Sequence, residues 1–511
     1  MRSTSLLPTS LFLTLAALLP VGAGAEGNDG ACAAGSAAAG SAPYAAIDSI
    51  FEDFAREKHV PGMIFAVVHR GKLVHCRALG VQDVKTKAPV TDATVFRIAS
   101  MTKSFTALAV LKLRDGDKLS LGDPATKFIP ELSAQHVPTA DSRAIRVRDL
   151  LGHTSGFVTD DPWGDRQLAM PEAEFSAFMR SDPPFARSPG TAFEYSNYGY
   201  ALLGRIVTNA SGLRYQDYVT REILKPLGMT SSAWEYSAID PSRRAVGYRF
   251  ENRDWKPEPV LADGAFASMG GLHTSARDYV SYVDFLLSAW TERETERETP
   301  LARSSRRELG QGTSFPQIRP ADAADPTSCA AASVYGFGMH VYGDCRFAHA
   351  MTHSGGLPGY GSNVLLLPRY DVAIFAFTNL TYAPVSVPVK RAAARLYDLG
   401  LLDRSTLPLT AKLQEAQATV TEIYKSGNVR VRPDALAGNL LLDRDAGQRD
   451  TELKALRVQL GDCQKAAAPQ VEHALSAKLL FACERGTLEA SVLLAPTPVT
   501  SLQRLEFAVR K

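Results

Sequence analysis

Long apolar runs are almost absent from this 511-residue chain. One lies at the N-terminus, Leu11 to Leu19, and it is shorter than the roughly 20 residues a membrane-spanning helix needs. Charge of one sign is lacking as well, with 56 Lys and Arg against 54 Asp and Glu. Nucleic acids and anionic membranes select a basic surface, and the totals supply none, so no nucleic-acid partner is expected. The six cysteines contain no C-x-x-C pair, which leaves thiol-redox and zinc-ribbon readings unsupported. No H-E-x-x-H, no P-loop and no G-x-G-x-x-G followed by an acidic partner is present. His349 and His353 are four residues apart, but in a strand-and-turn context that spacing does not converge on an ion. Neither a metal nor a cofactor is expected.

What is present is ordinary for a globular protein: 45% hydrophobic and 22% charged residues. The length suggests two or three folding units. Arg2, the apolar run Leu11 to Leu19 and then Ala23-Gly24-Ala25 have the order of a secretory signal peptide over residues 1–25. An Ala/Gly/Ser-rich leader follows over 26–43. The mature protein is therefore expected to be exported, periplasmic or secreted, with no transmembrane anchor after signal cleavage. Cys329 with Cys345 and Cys463 with Cys483 suggest two local disulfides, while Cys32 and Cys76 either pair or stay free.

Helical spacing of Ile47, Ile50, Phe51 and Phe54 predicts an amphipathic helix over Ala45 to Lys58, which Pro61 stops. A strand hairpin follows, Met63 to His69 and Lys72 to Cys76 around Arg70-Gly71. A helix is predicted over Ala99 to Arg114, and strands at Gly336 to Tyr342, Asn363 to Pro368 and Val372 to Asn379. The stretch Thr291 to Thr299 is nearly all charge and reads as a solvated extension or a loop insertion. Helices and a hairpin early, strands again late, make an α+β arrangement for residues 44–400. The pattern breaks near Gly400, and 401–511 carry their own helix and strands, a small C-terminal α+β domain of unknown role.

Three segments carry chemistry. In Ser100-Met101-Thr102-Lys103 the helical i, i+3 relation puts the hydroxyl beside the amine. A serine hydroxyl becomes a nucleophile only with a base in contact, and a helix N-terminus offers N–H groups to a developing oxyanion. In Tyr195-Ser196-Asn197 a phenol near an ammonium loses its proton more readily, and Asn197 is placed to hold both the Lys103 amine and a substrate amide. In His353-Ser354-Gly355-Gly356 a glycine-rich strand edge lets a substrate backbone approach, with the Gly356 N–H pairing that of Ser100 as an oxyanion hole.

These three segments in this order resemble the β-lactamase-related serine hydrolase family. That family includes class C β-lactamases, low-molecular-weight penicillin-binding proteins, D-amino-acid peptidases and certain esterases. Phe96-Arg97-Ile98-Ala99, Leu119 to Pro124, Leu150-Leu151-Gly152-His153-Thr154-Ser155-Gly156 and Met269 to Ala276 match its texture too. The resemblance, from about Tyr44 to Gly400, implies a β-lactamase/transpeptidase-like domain: an antiparallel sheet flanked by helices beside a helical subdomain, with the site between. It implies Ser100 as the acylated nucleophile, Lys103 as its partner and Tyr195 as general base or acid, with Asn197, His353, Gly355 and Gly356 binding substrate. The implied substrate is a small molecule or peptide, of cell-wall origin in much of that family. The departure is His353, where β-lactamases and most carboxypeptidases have a lysine that holds a substrate carboxylate. A neutral imidazole lacks that fixed charge, which favours peptidase or esterase action over β-lactam hydrolysis. The alternative is a penicillin-binding-type envelope protein that binds its ligand with little turnover.

Overall fold

The computed structural model describes Cys32 and residues 44–134, 138–160, 163–181, 184–290, 299–312, 314, 316–321, 329–403, 409–465 and 469–510. The signal-like segment, nearly all of the leader and most of the charged stretch lie outside the described residues.

Helix α1 (Asp48–Glu57) lays Phe51 on Phe65 of β1 (Gly62–His69), their ring centroids 4.0 Å apart. Arg70 and Gly71, at φ of 52° and 76°, make the tight turn into β2 (Lys72–Gly80). The remaining strands of this sheet come late in the chain: β3 (Gln317–Arg319), β4 (Ala331–Tyr335), β5 (His340–Gly343), β6 (Ala350–Leu357), β7 (Tyr360–Leu367) and β8 (Val372–Thr378). They form one eight-stranded sheet in the order β2-β1-β8-β7-β6-β5-β4-β3, antiparallel throughout.

Both faces of this sheet are covered, so its central strands are apolar without alternation. Met63, Phe65, Val67, Leu365 and Ile374 face a core closed by α1 and α5 (Ser386–Asp398). Ile64, Ala66, Val68, Phe375 and Phe377 face a larger core shared with α2 (Thr102–Asp115), α3 (Asn197–Ser211) and α4 (Ala276–Leu287). The site lies where the helical part meets the sheet.

The sequence reading placed one strand over Gly336 to Tyr342; the structure breaks it into the end of a hairpin. Gly338 turns at φ 72°, and a Cβ there would come within 2.7 Å of the Lys103 and Ser104 backbone, so the tip of the β4–β5 hairpin rests on the first turn of α2.

Residues 411–510 add α6 (Ala411–Ser426), α7 (Ala446–Leu460) and a second sheet of β9 (Cys463–Lys465), β10 (Gln470–His473), β11 (Ser476–Cys483), β12 (Gly486–Leu494) and β13 (Leu502–Arg510). Its core, around Leu413, Val420, Leu453, Leu479, Leu488 and Leu505, is separate from the two others. All six cysteines are paired: Cys32–Cys76, Cys329–Cys345 and Cys463–Cys483. Among the described residues no helix is long and apolar enough to cross a membrane.

Because the third core draws nothing from the first two, a chain ending at Asp403 is expected to fold. Circular dichroism should show a cooperative melt, with a midpoint within about 4 °C of the corresponding full-length transition. A non-cooperative melt would instead make residues 409–510 part of the first folding unit.

Candidate active site

Ser100 sits on the 3-10 turn Ala99–Met101 that leads into α2. Ala99 takes φ 49°, a left-handed conformation that costs a non-glycine residue about 1–2 kcal/mol and must be held by its surroundings. The Ile98 N–H donates to the Leu272 carbonyl at 3.0 Å, and Ser362 Oγ donates to the Ile98 carbonyl at 2.8 Å. Gly355 closes the clamp: a Cβ there would lie 2.1 Å from the Ile98 oxygen. Gly355 is thus a packing glycine rather than part of the cleft wall.

Lys103, one turn on, has no exposed surface. Its Nζ donates to Ser100 Oγ at 3.0 Å, Asn197 Oδ1 at 2.7 Å and the Met269 carbonyl at 2.8 Å. The rings of Tyr195 and Tyr200 lie over it, their centroids 4.9 and 5.5 Å away. The first two motifs therefore converge. Asn197, expected to hold both the lysine and a substrate amide, is fully buried; its Nδ2 donates to Asp165 Oδ1 at 3.3 Å, so it faces inward rather than toward substrate.

The neighbours that fix this geometry include several the sequence reading did not assign. Asp160 accepts the N–H groups of Asn197 and Tyr198 at 2.7 and 2.6 Å, a carboxylate at the start of α3. Asp165 also accepts from Tyr382 Oη at 3.0 Å. His153, within the loop segment Gly152 to Gly156, accepts the Ser196 N–H on Nδ1 at 3.1 Å and packs its ring 4.3 Å from that of Tyr195. That Leu-Gly-His-Thr-Ser-Gly texture was the available signal for His153; nothing local marked Asp160 or Tyr382.

The third motif lies within β6 rather than at its entrance. His353 Nδ1 donates to the Ser354 carbonyl at 2.6 Å, since a carbonyl only accepts, which leaves Nε2 to accept from Tyr335 Oη at 2.9 Å. Burial first, then the charges near His340 and Lys103, holds its pKa well below the ordinary imidazole value. Both nitrogens are thus committed in a neutral ring. Strand β5 pairs only with residues 350–352 of β6, so beyond them the outer edge of β6 is free of strand pairing. That edge borders a cleft of about 1050 Å³ whose walls include Ser100, Tyr195, His353, Ser354, Gly356, Asp165 and Tyr382. Among the described residues no group of three His, Cys, Asp or Glu is arranged to hold a metal ion.

Two outcomes follow from these contacts. Gly355→Ala should push β6 off the Ile98 turn and sharply reduce turnover in any assay that reports on Ser100, while full activity in that variant would refute the clamp. The pH dependence of stability is set by His153, His340, His353 and His273, all lowered by burial, His340 to about 4. Their folded pKa values lie below the unfolded one, so the unfolded chain binds more protons between the two. Stability is then complete above about pH 6.5 and falls as the pH drops toward 4, by up to about 1.4 kcal/mol per pH unit for each such group. Calorimetric midpoints at pH 7.5 and 5.5 test this; equal values would contradict it. The raised carboxyls of Asp263 and Asp278 act with the opposite sign at lower pH.

Comparison with known proteins agrees with this geometry. The Beta-lactamase family profile matches residues 47–399. Protein flp of Staphylococcus aureus (strain COL) is 29% identical over 345 residues, 66% of this chain and 64% of the relative's length. Beta-lactamase-like protein 2 of Dictyostelium discoideum is 26% identical over 407 residues, 77% of this chain and 70% of that one. The octameric penicillin-binding protein homologue from Pyrococcus abyssi shares the fold, with a TM-score of 0.59 at 20% identity over 91% of this chain and 98% of that structure. The architecture is β-lactamase/transpeptidase-like, and this chain belongs to the Beta-lactamase family.

Proposed function

We propose that this protein is an exported serine hydrolase that acts through an acyl-Ser100 intermediate on a peptide, amide or ester substrate. The observation that carries the reading is the cage around Lys103. With Nζ as an ammonium, three N–H groups meet three oxygens: Ser100 Oγ, Asn197 Oδ1 and the Met269 carbonyl. With Nζ as a neutral amine, two N–H groups still serve Asn197 and Met269, and the lone pair accepts the Ser100 proton. A buried group satisfied in both protonation states is what a proton shuttle requires.

In this mechanism Ser100 Oγ attacks the substrate carbonyl carbon as its proton passes to the Lys103–Tyr195 pair. The N–H groups of Ser100 and Gly356 receive the negative charge on the carbonyl oxygen. The same pair returns the proton to the leaving group as the tetrahedral adduct collapses to acyl-Ser100, and then draws one from the water that hydrolyses the ester. The open β6 edge supports pairing with an extended substrate. The neutral, fully engaged His353 supports peptidase or esterase action over efficient β-lactam hydrolysis. The paired cysteines and the signal-like N-terminus support export.

Intact mass spectrometry after exposure to a fluorophosphonate is expected to show one adduct on the wild type and none on Ser100→Ala. Lys103→Met and Tyr195→Phe should each reduce the labelling rate by about 10²–10⁴-fold. A folded wild type that takes no adduct would move the protein to a ligand-binding role.

A further inference from the structure

Beside Ser100 the third motif offers a neutral imidazole, yet positive charge gathers elsewhere on the same cleft. Arg319 ends β3, and Lys390 and Arg391 lie near the start of α5; all three line the cavity that holds Ser100 and Gly356. Among the described residues none of the three has a carboxylate at ion-pair distance, whereas Arg346 on the same wall is paired with Asp398 at 3.1 Å. Two acids line the cavity, and both are engaged by other donors. Asp165 serves Asn197 and Tyr382. Asp344 Oδ1 accepts the N–H groups of Arg346 and Phe347 at 2.9 and 2.7 Å.

Lys390 packs its ammonium 5.6 Å from the Tyr342 ring centroid, and burial, then the charge of Arg319, lowers its pKa. Cations that lower one another's affinity for protons are mutually repelling, and a wall of them is relieved when an anion joins. Ser386, the first residue of α5, also lines the cavity and places the positive end of the helix dipole on the same side.

We propose that Arg319, Lys390 and Arg391 form a subsite for a substrate carboxylate set some distance from the carbonyl that Ser100 attacks. The inference rests on the hydrolase reading above. It places the recognition of negative charge on β3 and α5, away from the third motif. The volume of about 1050 Å³ exceeds what a short ester fills and accommodates a chain joining the two ends. A terminal peptide carboxylate and an acidic side chain present the same chemistry.

The test is a series of p-nitrophenyl esters of α,ω-dicarboxylic acids of graded chain length, each compared with its ω-amide. The wild type should favour the carboxylate member by about tenfold in kcat/KM at one chain length, with the preference shrinking at high salt. The triple variant Arg319→Gln, Lys390→Gln, Arg391→Gln should lose that preference while hydrolysing the ω-amides within about twofold of wild type. Equal rates across the wild-type series, or an undiminished preference in the triple variant, would overturn the subsite. If neither member is hydrolysed and the fluorophosphonate leaves Ser100 unlabelled, the hydrolase reading fails by itself. Calorimetric binding of the free dicarboxylic acids to Ser100→Ala protein then decides the subsite: binding abolished by the triple substitution sustains it, and no binding or unchanged binding refutes it.

Discussion

A buried amine is the constraint around which this molecule is arranged. Taking the Lys103 Nζ out of water carries a desolvation penalty of several kcal/mol unless oxygens replace the lost hydration. Those oxygens come from distant stretches of chain: Ser100 on the same helical turn, Asn197 at the head of α3, and Met269 in the short helix Ala267–Gly270. The three segments have to converge to within hydrogen-bond distance, and that requirement fixes how the helical part packs. The sheet is drawn in as well, because Gly338 lets the β4–β5 hairpin touch the Lys103 backbone and Gly355 lets β6 press on the turn before Ser100.

Around this amine the protein places aromatic and imidazole rings rather than carboxylates. His153 and Tyr335 have ring centroids 4.6 Å apart, and His340 and His353 lie 5.6 Å apart. Burial keeps these imidazoles neutral, so the charge nearest the nucleophile is that of Lys103 and its proton partners. The acids stand one layer back: Asp165 reaches the amine only through the Asn197 side chain, and Asp160 binds the backbone N–H groups that begin α3. A carboxylate in direct contact would hold Lys103 as a permanent ammonium. Interposing an amide leaves the proton movable.

Much of this was legible from local pattern. The i, i+3 relation of Ser100 and Lys103, the Tyr-Ser-Asn turn and the alternation-free run of β1 are short-range signals, and the structure places them as read. The hairpin over 331–343 was misread because Tyr335 and His340 flank glycines whose need for a turn depends on contact with α2, about 230 residues earlier in sequence. Asn197 read as a substrate contact, because a sequence cannot say which face of a helix start is covered; the loop carrying Asp165 covers it. His153, Asp160 and Tyr382 act through contacts made only once the chain is folded, so no neighbouring residue announces them. The pairing of Cys32 with Cys76 was left open for the same reason: it joins the leader to β2 across 44 residues.

The replacement of an ammonium by His353 changes where the cleft senses charge. A lysine at that point would set a second fixed positive charge near the Lys103 cage and disfavour the ammonium form of Lys103. The imidazole avoids that repulsion, and by spending Nδ1 on the Ser354 carbonyl and Nε2 on Tyr335 it has no donor left for a substrate anion. Electrostatic selection then has to come from side chains whose charge does not act on the proton shuttle. Arg319, Lys390 and Arg391 meet that condition, since they belong to β3 and α5 while the Lys103 cage is built from α2, the head of α3 and the Ala267–Gly270 helix. Separating the cations that choose a substrate from the amine that moves its proton lets each be tuned without disturbing the other.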